Sequence, residues 1–312
     1  MLVLNRNFVL FIYLICEGPK MLLGLHSYSF HLHGMGQCWG DFEHTWEGVM
    51  DIYQLMAFAV EYGLDGLHIT AADCLSTKSE ELKKIRAAAE SKGLYLEYNF
   101  SMDEAYDKRL TNTVEEGITI AHTLGARIAK VSMDLKRPRP ISASRFHPIV
   151  RDQLENVVEL LTDAAPMAQK KDVRVAVENH TDAFSEEVLW VLDRVNHPYV
   201  GACVDTVNAI HVTEDPIVAI SNLAPRAFTN HFRDNRIIIQ HDGVRFTGSA
   251  VGDGDLDMKR AYEIIRDTST MNQINIELDM DANSSDPVEA QLHEREAVVK
   301  SIRYCRDVLG IS

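Results

Sequence analysis

The 312-residue chain has a formal charge of −15 and is 46% hydrophobic, apolar enough to fill the core of one large α/β barrel or of two ordinary domains. Acidity of this size argues against a nucleic-acid partner, which needs a basic face to displace phosphate counterions, and it fits a cytoplasmic protein with small ligands. The five cysteines (Cys16, Cys38, Cys74, Cys203, Cys305) are odd in number and lack CxxC spacing, so they read as reduced thiols rather than a disulfide framework or a zinc knuckle.

Taken in chain order, Phe8 to Cys16 is an apolar run too short to cross a bilayer. Only Arg6 precedes it and no small-x-small cleavage site follows. Residues 1–20 are therefore expected to be an N-terminal appendage without chemistry or membrane contact, and residues 21–312 a single catalytic domain. From Met21 onward strand-like and helix-like stretches alternate. Strands are expected at 22–29, 64–69, 94–99, 126–132, 173–179, 199–205, 226–233 and 273–279. Amphipathic helices are expected near 49–62, 78–92, 112–124, 148–171, 185–196, 215–223, 257–268 and 288–308. Eight strand–helix pairs in strict alternation predict a (β/α)8 TIM barrel; the alternative, an open doubly wound sheet, lacks a GxGxxG after any strand. Two long loops leave the carboxyl ends of strands, where barrel enzymes keep their sites. One is His31 to Trp46; the other is Asn235 to Asp257, which holds a predicted hairpin (RIIIQ-HDG-VRFTG) before GDGDLD.

Four late strands, VRVAVENH, VGACVDT, AFTNHFRD and INIELD, each run into a carboxylate or an imidazole: Glu178, Asp205, His231 and Glu277. An apolar strand gains nothing from such a terminus unless a site uses it. Side chains alternate between lumen and helix layer along a strand. That parity groups Glu178 with His180, Asp205 with Cys203, His231 with Arg233, and Glu277 with Asn275 and Asp279. Earlier strands add His68 and Thr70, Glu97 and Asn99, Lys130 and Ser132, all opposite their aliphatic neighbours. Some of these would be structural pairs in a packed lumen, such as Lys130 with Glu97.

Two glutamates, an aspartate and a histidine make an oxygen-rich donor set for one divalent cation, Mn²⁺ first, with Mg²⁺, Co²⁺ or Zn²⁺ as alternatives. Four protein ligands leave room for two adjacent oxygens of a sugar. The cation would then stabilise an enediolate when a proton leaves beside the carbonyl, with a nearby carboxylate as base.

The ordered Glu–Asp–His–Glu set, the phrase DTVN at Asp205 to Asn208 and GDGDLD at Gly252 to Asp257 resemble the xylose-isomerase-like barrel superfamily from Met21 to about Leu309. The resemblance implies a metal shell of Glu178, Asp205, His231 and Glu277, and proton exchange by Glu178 and Glu277 on opposite faces of a keto-sugar, as in ketose epimerases. Asn208 stands where several epimerases carry a substrate-binding histidine. ENH (Glu178, Asn179, His180) with DTxN and EDP (Glu214 to Pro216) resembles a branch of lyases on 3-oxo sugars, decarboxylases and the larger subunit of C-glycoside deglycosidases, in which His180 would be an acid or base. Asn208, Arg233, Lys130, His68 and Trp39 are the expected substrate contacts. His26, His31, His33 and Trp46 belong to the same first-loop wall, with no metal assigned to the HxH pair.

The expected activity is thus sugar or keto-sugar isomerisation or epimerisation, with carbon–carbon cleavage of a 3-oxo sugar as the alternative. An abasic-site endonuclease would need about nine ligands and a basic groove; a non-catalytic binding protein would not need the metal set. Kinship adds a homo-oligomer, and a small partner subunit if the chain is a deglycosidase.

Overall fold

The computed structural model describes residues 20–37, 46–103, 107–138 and 140–311. Ten strands appear among them: β1 (Leu22–His26), β2 (Gly66–Thr70), β3 (Tyr95–Ser101), β4 (Ile128–Ser132), β5 (Arg174–Glu178), β6 (Val200–Asp205), β7 (Ala227–His231), β8 (Asp234–Gln240), β9 (Gly243–Ser249) and β10 (Gln273–Ile276). The α-helices are α1 (Ile52–Glu61), α2 (Ser79–Ser91), α3 (Val114–Leu124), α4 (Pro148–Lys171), α5 (Ser185–Val195), α6 (Pro216–Leu223), α7 (Met258–Thr268) and α8 (Pro287–Asp307). Every predicted strand and helix is present, and several helix ends carry a local signal. Asp51 and Thr113 close capping boxes on α1 and α3, Pro148 starts α4, and Gly125 ends α3 in the left-handed region at φ 75°.

The sheet runs β10–β1–β2–β3–β4–β5–β6–β7, all parallel. Between β7 and β10 the ring closes through a single bridge, Phe232 to Ile276. There the Phe232 amide donates to Asn275 O at 2.8 Å and the Glu277 amide donates to Phe232 O at 3.3 Å. The result is a (β/α)8 barrel. Its aliphatic parity (Leu23, Leu25, Leu67, Ile69, Val131, Val175, Val177, Val204, Ile274 and Ile276) packs against the helices, fully buried. The polar parity fills the lumen in rungs set by parallel register: His26 beside His68 beside Glu97, then Asn99 beside Lys130, and Asp205 beside His231.

β1 stops at His26, short of the expected residue 29. His26 caps a 3-10 helix over Ser27–His33, its Nδ1 accepting the Tyr28 amide at 3.0 Å. Glu294, fully buried on α8, reaches under this helix. It accepts the Leu32 amide at 2.9 Å and lies 2.6 Å from His33 Nδ1 and 3.0 Å from His31 Nδ1. The HxH pair is therefore an anchor for the first loop.

The predicted hairpin is β8–β9, antiparallel, with Gln240 opposite Gly243 and His241–Asp242 as its turn. The GDGDLD stretch is a nest of backbone amides. Those of Gly252 and Gly254 each donate to Asp234 Oδ2 at 2.9 Å, so the chain's own carboxylate occupies it. A Cβ at Gly254 would lie 2.0 Å from Asp234 Oδ1. Among the described residues no helix is long and apolar enough to cross a membrane.

Candidate metal centre

The four late-strand residues converge. His231 Nδ1 lies 2.9 Å from Glu178 Oε1, 3.0 Å from Glu277 Oε2 and 3.9 Å from Asp205 Oδ2. All four side chains are at most 4% exposed. Three carboxylates packed round one ring nitrogen are a costly arrangement unless positive charge lies among them. Burial works against a charged His231, yet Cys203, Glu277 and Glu178 outweigh it and hold the ring well above the usual histidine range. Burial likewise opposes charge on Glu178, but Lys130 and His231 outweigh it, and on Glu277, where His231 and His26 do; both carboxyls lie well below their ordinary range. Asp205 goes the other way, raised by burial to about 6 despite Arg233.

This donor set fits a divalent cation. Asp205, His231 and Glu277 place one ligand atom each within 4.8 Å of one another, as do Glu178, Cys203 and His231, and His231 Nε2 is buried without a hydrogen-bond partner. The carboxylates are aimed by their surroundings. Asp205 Oδ1 accepts the amides of Val207 and Asn208 at 2.7 and 2.8 Å. Asn179 bridges β5 and β6, donating to Asp205 O at 3.0 Å and accepting the Asp205 amide at 2.8 Å.

Above the cluster opens a cavity of about 220 Å³, lined by Tyr28, Gln37, Asn99, Lys130, Glu178, His180, Thr181, His211, His231, Arg233, Glu277 and Asp279. Its size suits a monosaccharide; pockets for drug-sized ligands run ~300–1,000 Å³. Of the expected substrate contacts, Lys130, Arg233 and the neighbouring His180 are in this wall. Asn208 is just behind it, its amide 3.4 Å from Glu178 Oε1 and its carbonyl accepting from Arg233 at 3.3 Å. His68 is not in the wall: it is fully buried a layer deeper, its ring 5.0 Å from that of His231. Trp39 lies outside the described residues.

Two pairings differ from the sequence reading. Lys130 does not pair with Glu97; its ammonium contacts Glu178 Oε2 and donates to Ser132 Oγ at 2.7 Å. Lys130 and Glu97 sit on different rungs, because Asn99 rather than Glu97 registers with Lys130. Glu97 instead accepts from Thr229 Oγ1 at 2.5 Å, Gln273 Nε2 at 2.9 Å and Asn275 Nδ2 at 3.1 Å, and burial raises its carboxyl to about 7. Arg233 also differs from a free substrate clamp, being held by Asp279 at 2.6 Å and Asp205 at 3.3 Å. His211 and Thr181 line the cavity without having stood out in the sequence, since neither is on a strand whose parity reveals it.

A larger cavity of about 460 Å³ lies at the opposite, amino-terminal end, among Leu94, Tyr95 and Phe228. Its charged rim is self-paired, Arg86 with Glu90 at 2.7 Å and Arg127 with Asp172 at 3.4 Å, and none of Glu178, Asp205, His231 and Glu277 lines it.

An eight-stranded parallel barrel with acidic and imidazole side chains gathered at the ends of β5, β6, β7 and β10 defines a class of α/β-barrel enzyme. A family model described as xylose isomerase-like TIM barrel matches residues 56–308, and the chain belongs to that family. It is 24% identical over 263 residues to the 3-oxo-isoapionate decarboxylase of Pectobacterium atrosepticum, covering 81% of this chain and 84% of that protein. Among solved structures it resembles a D-psicose 3-epimerase crystallised with D-fructose (TM-score 0.63, 17% identity, 93% of this chain and 100% of that one). It also resembles the IOLI protein with a bound zinc atom (TM-score 0.64, 14% identity, 93% and 98%). These structural likenesses show the shared fold.

Proposed function

We propose that the chain is a divalent-cation-dependent enzyme working beside the carbonyl of a keto-sugar, with Glu178, Asp205, His231 and Glu277 holding the cation. The carrying observation is the convergence of three buried carboxylates on His231 Nδ1. When bound, the cation supplies Lewis-acid stabilisation of negative charge on substrate oxygens. Mn²⁺ suits the oxygen-rich donors best, and the imidazole makes Zn²⁺ and Co²⁺ serviceable.

Two outcomes share this chemistry. In isomerisation or epimerisation, Glu178 and Glu277 would exchange protons with the substrate carbon on opposite faces. In carbon–carbon cleavage of a 3-oxo acid, the electrons of the breaking bond pass to the carbonyl, CO₂ leaves, and the carbon takes one proton. The engagement of Glu178 favours cleavage. Lys130 and Ser132 at Oε2, with His231 and Asn208 at Oε1, hold Glu178 as a fixed and charged carboxylate, which suits a cation ligand better than a group that must take up and release a proton. His180 is the proton carrier on that side of the cavity. The decarboxylase relative supports the same reading.

The test is to strip the protein with a chelator, reload it with Mn²⁺, and offer 3-oxo sugar acids alongside free ketoses. Release of CO₂ with little ketose interconversion is expected. Interconversion without cleavage establishes the isomerase reading, and no metal uptake at all ends both.

A further inference from the structure

At the rim of the cavity two loops bring Asp134 and Asp182 against one edge of His180. Asp182 follows β5 and Asp134 follows β4. His180 Nδ1 is 3.2 Å from Asp182 Oδ1 and 4.0 Å from Asp134 Oδ1. Each aspartate is tethered by its other oxygen. Asp182 Oδ2 accepts the Leu135 amide at 2.5 Å, and Asp134 Oδ2 accepts from Ser101 Oγ. Asp134 holds this position from a left-handed backbone, φ 54°, a conformation that aspartate tolerates better than most residues. Both carboxylates thus spend one oxygen on the scaffold and turn the second toward the same ring nitrogen. A carboxylate can only accept, so the ring must donate from Nδ1. In a neutral imidazole the lone pair then resides on Nε2.

We infer that Asp182, backed by Asp134, is a positioning residue that fixes His180 as the Nδ1–H tautomer and so makes Nε2 the atom through which the ring takes up a proton and delivers it into the cavity. This rests on the reading of His180 as the proton carrier. The same logic operates wherever a buried carboxylate orients a catalytic histidine. Asp182 touches His180 and the Leu135 backbone but is absent from the cavity wall, so its effect on substrate passes through the ring.

The discriminating variant is Asp182→Asn. Its amide oxygen can still accept the Leu135 amide, which preserves the loop, while its NH₂ faces Nδ1 and imposes the opposite tautomer. Nitrogen-15 NMR of histidine-labelled full-length chain, in alkaline buffer where the ring is neutral, reads the tautomer directly; His180→Gln assigns the signal. The wild type should show a protonated Nδ1, and Asp182→Asn a protonated Nε2. With the substrate found above, Asp182→Asn should lower kcat by roughly a hundredfold with KM and bound metal nearly unchanged, and Asp182→Glu should recover part of the loss. A wild-type His180 protonated on Nε2, or a tautomer indifferent to Asp182→Asn, overturns the inference. A wild type that turns over nothing but shows the expected tautomers defeats the proposed function and leaves the positioning result standing.

Discussion

Lys130 and Glu178 form an ion pair inside the barrel, with side-chain exposures of 4% and 2%. The ammonium and His231 together balance Glu178, so removing one partner leaves charge buried and short of compensation. Lys130→Met should destabilise chelator-treated protein by about 3–5 kcal/mol in urea unfolding. Saturating Mn²⁺ should restore part of this, because a cation bound only by the folded state adds stability by mass action. A loss under about 1 kcal/mol would show that Lys130 does not compensate Glu178.

Glu97 supplies a pH signature. Burial raises its carboxyl to about 7, even though Thr229, Gln273 and Asn275 all donate to it. An unfolded glutamate ionises near ~4.3. Between that value and about 7 the folded chain keeps a proton that the unfolded chain has lost, so this residue's contribution to stability falls as pH rises through the window. Glu97→Gln should remove that part of the slope in thermal unfolding. An unchanged slope would place the titration elsewhere.

Glu294 works in the opposite sense. Burial alone would raise its carboxyl, but hydrogen bonds with His31 and His33 outweigh that and lower it. Its contribution is present above the unfolded carboxyl range and is lost as pH falls through the depressed folded value. Glu294→Gln should cost about 1–3 kcal/mol, speed hydrogen exchange at the Leu32 amide and weaken substrate binding, since the anchored loop carries Tyr28 and Gln37 into the cavity. Unaltered exchange at Leu32 would mean that α8 does not hold this loop.

The lumen floor depends on a missing side chain. A Cβ at Gly66 would lie 2.3 Å from Tyr95 Cγ, so the ring lies flat on bare backbone. Gly66→Ala should destabilise by roughly 1–3 kcal/mol through overpacking. Tyr95→Leu should relieve most of that penalty in a double-mutant cycle. Additive losses would rule out the contact.

The barrel was legible because each strand carries two independent signals, an aliphatic parity for the helix layer and a polar parity for the lumen. The same alternation led to Glu178, Asp205, His231 and Glu277. Partner choice was not legible. Whether Lys130 meets Glu97 or Glu178 depends on which residues share a rung, and parallel register is set by packing around the whole ring rather than by either strand. The depth of His68 escaped for the same reason: parity says that a side chain faces inward, not how far below the mouth it sits. His211 lies on a short 3-10 helix, Asn208–Val212, and Asp182 on a loop, where no long period reports direction. The Asp234 carboxylate in the GDGDLD nest was hidden by sequence distance, since its amide partners come eighteen and twenty residues later.

The weakest join of the ring lies between β7 and β10, where one bridge at Phe232 replaces a full ladder. His231 projects from one side of that join and Glu277 from the other. An ion shared by these two side chains would be a rivet across a gap that the Asn230 side chain also spans, donating to Gln273 O at 2.8 Å and accepting the Asn275 amide at 3.1 Å. If such an ion is bound, chelation should loosen the Phe232 and Glu277 amides before those between β2 and β3, and the proposed cation would also complete the cylinder.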